Sequence, residues 1–370
     1  MVSTGGSNVG FDHRHYVPCL RWKMGEFQAV LRLSDRAKES ITPLIEVPEI
    51  GYDFETGTPS KTIDEHLDPF PKRVRDKWGP RACFIDLSLI GSGERMSGGQ
   101  HPAEFLFDRL RTLSCFAVPV TGLDRDSAYQ SAITRIVSAD GNGLCVRLEI
   151  RDAAKSDLKQ GIDRLLKTCI LKTPQCDLLI DLGAPSFEPI EGFAKLIVTI
   201  AKNLPYRDRW RTLSLCATSF PSSMAGVKQG TTLIPRQEWQ LYRRVVELLA
   251  NEGSRLPTFG DYAVNYPDVL PQDMRLLKPS ATIRYTTRES WLIVKGTNVR
   301  DNKYEQYRDL CKTVVESKYF AGSDFSFGDE YIAQCAAGNE STGNLTTWRK
   351  VGTNHHVERV LHDVSSLFGS

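Results

Sequence analysis

The sequence predicts an α/β fold, a (β/α)8 barrel, on three observations. Short apolar runs of strand length alternate with longer amphipathic stretches of helix length from Tyr16 to Tyr262. About eight such units follow one another, which implies parallel strands joined by helical crossovers, and eight units close into a ring. No GxGxxG or Walker pattern occurs, so the competing open doubly wound sheet lacks its usual phosphate loop.

Taken in order, Tyr16 to Trp22 predicts the first strand and Gly25 to Ser40 a helix with Phe27, Val30, Leu31 and Ala37 near one face. Thr42 to Val47 is the second strand, and Ile63 to Trp78 a weakly patterned helix interrupted by Pro69 and Pro71. Ala82 to Leu87 predicts the third strand, the Gly/Ser-rich stretch after it a long loop, and Pro102 to Leu113 a helix with proline in its first turn. Phe116 to Thr121 and Leu144 to Ile150 are the fourth and fifth strands, with a helix over Asp126 to Ser138 between them. Lys155 to Lys172 is helical, with Leu158, Ile162, Leu165 and Leu166 spaced for one buried face. Asp177 to Leu182, Thr212 to Thr218 and Leu256 to Tyr262 complete the eight strands, separated by helices over Ile190 to Asn203 and Arg236 to Asn251. Ser280 to Gly296 predicts a β-hairpin turning at Thr287 to Glu289, inserted before a last ring helix over Tyr304 to Ser317.

Three parts are expected: a flexible segment over 1–15, the barrel over 16–320 including the hairpin insertion at 263–302, and an irregular extension over 321–370 packed on the barrel. The extension is rich in Gly and polar residues and ends in a helix from about His356 to Leu367. Apolar residues make up 41% and charged residues 25% of the 370 residues, enough for an ordinary globular core. A net charge of +2 gives no global reason to expect nucleic acid or membrane, so any such partner needs a local patch. The nine cysteines show no CxxC or zinc spacing and read as reduced core residues of a cytoplasmic protein.

The opening YVPCLRWKMGE with ITPLIEVPE, the later IRYTTRESWLIVKG, and the tail FSFGDEYIAQCA with TTWRKVGTNHH resemble the beta family proteins of bacteriophages and bacterial genomes. The resemblance runs nearly the whole length. It implies a role in conflict between phage and host, as anti-phage defence or its phage-encoded counterpart, and brings no established catalytic residues.

Chemistry in such a barrel is expected at the carboxyl ends of the strands. Lys23, Glu46, Asp86, Arg147, Glu149 and Asp181 stand at those ends. Alternation puts Arg147 and Glu149 on one strand face, and an inward Arg147 is expected within salt-bridge reach of Glu46, Asp86 or Asp181. Such a mouth could do acid and base work, hold a divalent cation on Glu46, Asp86 and Asp181, or receive an anionic small molecule or nucleotide. The bland alternative is an internal salt-bridge network that only fills the upper layer of the barrel. No cofactor is named by any motif.

A second candidate surface is the hairpin with the tail, through Arg284, Tyr285, Lys295, Trp348, Arg349 and His355. Basic residues interleaved with aromatics suit a phosphorylated ligand or a nucleic-acid strand, against the plainer reading that the aromatics pack while the charges are solvated. With it comes the alternative function, a non-enzymatic scaffold that contacts a protein partner from phage or host. His355 and His356 diverge by about 100° if helical, so they do not easily share one metal.

Overall fold

The computed structural model describes residues 10–267 and 278–369. The flexible segment expected before Gly10, and residues 268–277 of the expected insertion, lie outside the described residues. The barrel strands are β1 (Tyr16–Leu20), β2 (Leu44–Glu46), β3 (Cys83–Asp86), β4 (Ala117–Thr121), β5 (Leu144–Glu149), β6 (Cys176–Asp181) and β7 (Thr212–Cys216). After an outlying β8 (Gly230–Pro235) comes the eighth, β9 (Thr258–Asp261). They close in the order β1-β9-β7-β6-β5-β4-β3-β2, every neighbouring pair parallel.

Strand alternation sorts the side chains. Val17, Cys19, Leu44, Phe84, Val118, Val120, Cys145, Leu179 and Cys216 fill the barrel interior, while Tyr16, Leu20, Ile45, Val146, Leu148 and Ile180 face the helices. Stepping two residues along from Leu44, Phe84, Cys145 and Leu179 gives Glu46, Asp86, Arg147 and Asp181. The residues above the apolar filling are therefore charged.

Seven ring helices follow the first seven strands: α1 (Met24–Leu31), α2 (Pro69–Lys77), α3 (Pro102–Thr112), α4 (Ser127–Asp140), α5 (Leu158–Cys169), α6 (Ile190–Asn203) and α7 (Gln237–Asn251). Local chemistry sets their ends. The Asp126 side chain caps α4 by accepting from the Tyr129 N–H, and Gly141, at φ 66°, ends it in the left-handed region.

The chain after β9 differs from the sequence reading. The hairpin forms as β10 (Ser280–Thr286) and β11 (Ser290–Asn298), but β8, for which the sequence reading has no element, joins it in an antiparallel sheet of order β8-β11-β10. The helix expected to complete the ring is α8 (Tyr307–Val315), and it packs on β10, β11 and α9 (Phe327–Ala337). The eighth ring helix is α10 (Leu345–Phe368), which begins about one half-length earlier than expected and packs on α1 and β1. Residues after Ala321, read as irregular, are thus mostly helical.

The reason lies in two cores served by one long helix. Trp348 and Val351, early in α10, pack with Tyr285, Leu292, Val294, Tyr307, Ile332 and Cys335 in a second core. Val357, Val360 and Val364, later in α10, belong to the barrel core. Between them lie Thr353, Asn354, His355 and His356, all polar and fully buried, and they mask the apolar period that would mark a helix. No helix among the described residues is long and apolar enough to cross a membrane.

Candidate active site

At the carboxyl ends of the strands, Arg147 stands among three carboxylates. It donates from Nη1 to Glu46 Oε1 (2.9 Å) and Asp86 Oδ2 (2.7 Å), and from Nε and Nη2 to Asp181 Oδ2 (2.9 and 2.6 Å). Its last N–H reaches the Tyr262 hydroxyl (2.9 Å), which itself donates to Asp181 Oδ2 (2.5 Å). All five guanidinium hydrogens are therefore spent. Tyr262 enters the mouth because the chain turns sharply after β9: Ala263 sits at φ 50°, with its N–H held by Asp261 Oδ1 at 2.9 Å.

Two further arginines complete the charge balance. Arg125 donates from Nη2 to Asp86 (3.0 Å), and Arg21 Nε lies 3.8 Å from Glu46 Oε2. Backbone N–H groups of Ser88 and Gly183 reach Asp86 and Asp181 at 2.8 and 2.9 Å. Burial works against the ionised form of Asp86, but Arg125 and Arg147 outweigh it and hold this carboxyl below its usual range. For Glu46 burial wins over Arg147, helped by the nearby Asp86, and its pKa is raised. Neighbouring carboxyls of opposite tendency suit proton transfer.

Above this layer lies an open cavity of about 630 Å³ whose lining includes Glu46, Arg125, Arg147, Glu149, Asp181 and Tyr262. Glu149 stands at the rim, paired with Arg151 at 2.9 Å and more than half exposed. Lys23, at the start of α1, is also exposed and pairs with Glu49 at 2.7 Å, with no bond to the Arg147 cluster among the described residues. Of the six residues expected at the mouth, four form one network and two flank it. Three members were missed by the sequence reading. Tyr262 was signalled by the alternation from Gly260, whereas Arg21 and Arg125 carry no signal beyond lying next to strand ends. A cation held by Glu46, Asp86 and Asp181 does not fit, because the guanidinium fills the position between them; among the described residues no group of three or more His, Cys, Asp or Glu side chains is arranged to hold a metal.

The model of the family described as Beta protein matches residues 16–362. The chain belongs to the Beta protein family. A search of the curated proteins finds no match. Among solved structures, this Beta protein is similar to an exo-beta-1,4-mannosidase from Opitutaceae bacterium strain TAV5, at 10% identity and TM-score 0.38, over 69% of this chain and 54% of that one. The chain thus spans about half the length of that enzyme. It is also similar to a broad-specificity endoglucanase from an uncultured bacterium, at 9% identity and TM-score 0.34, over 65% and 78% of the two chains. Likeness at this level carries nothing about chemistry.

The second expected surface of this Beta protein is closed. Tyr285, Trp348 and His355 are buried, because they build the seam between the barrel and the second core. Lys295 donates its ammonium to the carbonyls of Met224 and Val227 (2.6 and 2.7 Å), and Arg349 donates to the Val264 carbonyl and the Asn265 side chain. Arg284 is lowered in pKa by burial and by the adjacent Arg349. Lys295 and Arg349 are thus taken up within the fold, while Arg284 Nε is buried with no hydrogen-bond partner among the described residues.

His355 and His356 anchor that seam and diverge as a helix requires. His355 faces Asp329 Oδ2 through Nδ1 and the Thr286 carbonyl through Nε2, both at 2.7 Å, and stacks on Tyr285 at 3.8 Å between centroids. Asp329 also receives hydroxyls from Ser326 (2.5 Å) and Tyr285 (2.6 Å). The ring is thus held between a carboxylate and a backbone carbonyl. His356 instead faces Asp261 through Nε2 (2.9 Å) and the Thr286 hydroxyl through Nδ1 (3.0 Å), and burial lowers its pKa. A donated Thr286 hydroxyl satisfies the neutral ring. Asp261, the last residue of β9, faces away from the mouth and also accepts from Tyr16 (2.6 Å).

Proposed function

We propose that this Beta protein handles a small polar ligand at the barrel mouth, with Glu46 giving or taking a proton. The supporting observation is how the mouth divides its labour. Arg147 has no donor left, so it acts as the post that holds the carboxylates; Glu46 Oε2 lies 3.8 Å from Arg21 Nε, beyond hydrogen-bond distance. A buried carboxyl of raised pKa beside an open cavity is equipped as a general acid.

The ligand class read from the sequence, an anionic small molecule or nucleotide, is narrowed by this geometry. The lining carries Glu46, Asp124, Glu149, Asp152 and Asp181 against Arg125, Arg147 and Arg151. With Arg147 spent, Arg125 is the inner receptor for a negative group, since only its Nη2 is engaged among the described residues. One negative group suits the mouth better than a polyphosphate chain.

The setting is conflict between phage and host in the cytoplasm, as the family resemblance implies. The second reading, a scaffold that binds a protein of phage or host, has the exposed Leu233 on β8 to work with. Plating efficiency of phage on cells carrying each form separates the two. Glu46→Gln and Asp181→Asn, checked for folding, are expected to abolish the effect, and Leu233→Asp to leave it intact; the reverse pattern overturns the mouth reading.

A further inference from the structure

Away from the mouth, a cleft of about 200 Å³ opens between α7, the β10–β11 turn and α10. Trp239 and Leu367 supply an apolar floor, and Arg243, Arg288, Arg359 and His362 supply the walls. Asp363 and Ser366 line the cleft as well, and its acids are already shared. Asp363 receives Arg236 Nη1 at 2.8 Å on one oxygen and Arg359 Nε at 2.9 Å on the other. Glu289 receives Arg243 Nη2 at 2.6 Å and has Arg288 at 3.6 Å. With Glu238 behind Arg236, four guanidiniums meet three carboxylates.

Donors are left over on the cleft side of that balance. Arg243 Nε is buried and has no hydrogen-bond partner among the described residues. Arg288 is 73% exposed and, among the described residues, makes a loose contact with Glu289. Arg359 uses Nε and Nη2 on Asp363, which leaves Nη1.

We infer that this cleft binds a phosphate monoester with a small apolar body. Three guanidiniums approach from three separate elements, and that arrangement matches the three outward oxygens of a tetrahedral dianion; a planar carboxylate is filled by one arginine fork. Trp239 and Leu367 offer the apolar body a surface to cover. The volume admits a group of few atoms, which excludes a nucleoside polyphosphate. The site stands independently of the mouth.

The test is calorimetric titration of the full chain with phenyl phosphate, with inorganic phosphate, benzoate and phenol as comparison probes. Saturable binding of phenyl phosphate is expected, weaker for inorganic phosphate and benzoate, absent for phenol, and weakening as salt is raised. Arg288→Gln, at an exposed turn that does not endanger the fold, is expected to weaken it about ten-fold, and Arg243→Gln by at least as much. No saturable binding at millimolar phenyl phosphate overturns the inference. So does unchanged affinity in Arg288→Gln, or benzoate binding as tightly as phenyl phosphate.

Discussion

The mouth and the seam are made of the same materials and differ in what they leave over. In each, arginine or histidine is surrounded by carboxylates and a tyrosine hydroxyl closes the set. At the seam Tyr16, Asp261, His356, Thr286, His355, Asp329 and Tyr285 run as one hydrogen-bonded chain from barrel to second core, with no cavity beside it to receive a ligand among those described. At the mouth one guanidinium is exhausted while Glu46 and Arg125 retain free positions beside a cavity. Buried charge alone does not mark a functional site; unspent valence next to solvent does.

The sharpest way to break that comparison is to remove the central cation from each network. Arg236 is fully buried among Asp363, Glu238 and the Thr287 carbonyl. Arg236→Met leaves Glu238 a fully buried carboxylate without its cation, at an expected cost of about 5 kcal/mol, the upper range for removing one partner of a buried pair. Arg147→Met should cost about 3 kcal/mol, since Arg21, Arg125 and cavity water relieve the carboxylates it leaves. Urea denaturation of both variants gives the order. A larger loss at Arg147 would mean that the mouth is the drier of the two.

Titration separates the regions next, because the two shifted groups pull in opposite directions. His356 has a folded pKa below the ordinary 6.5, so as pH falls through 6.5 the unfolded chain takes up a proton first and stability is lost. Glu46 has a folded pKa above the ordinary 4.5, so as pH rises through 4.5 the unfolded chain loses its proton first and stability is again lost, now toward alkali. Urea midpoints measured from pH 4.5 to 7.5 should show Glu46→Gln removing the loss on the rising side. His356→Gln should reduce the loss on the falling side, to which the buried His15, lowered to about 4, also contributes. Identical pH profiles for wild type and Glu46→Gln would mean that Glu46 is ionised at the mouth, and the general-acid role would fall with it.

How much of this was legible follows from which interactions are local. Barrel strands announce themselves through apolar runs, and Glu46, Asp86, Arg147 and Asp181 follow from alternation plus the rule that barrel sites lie at strand ends. Even the grouping of Arg147 with carboxylates follows from the cost of leaving it alone. The seam was illegible for the opposite reason. Thr353 to His356 are polar residues in the middle of a buried helix, and their partners lie from 26 to 340 residues away, as with Asn354 to Gly328 and His356 to Tyr16. Polar residues usually signal exposure, so in sequence Tyr285, Trp348 and His355 fit a contact surface as well as packing, and in the fold all three are buried. β8 was missed because GTTLIP alternates only weakly and lies on an edge.

The smallest expected effect sharpens the boundary of the mouth itself. Lys23 and Glu149 were expected among the catalytic groups, yet each makes an ion pair at the exposed rim, with Glu49 and Arg151 respectively. Exposed pairs of this kind contribute little, so Lys23→Gln and Glu149→Gln should each change stability by less than about 0.5 kcal/mol. The start of α1 does not depend on the lysine side chain, because Glu26 accepts from the Lys23 backbone N–H at 3.3 Å. Any loss of the biological effect in these variants would therefore come from contact with a ligand, not from the fold. Measuring plating efficiency beside the urea midpoint decides it. If both are unchanged, the working site ends at the Arg147 layer; if plating alone fails, the ligand reaches the rim and is longer than the inner cluster can hold.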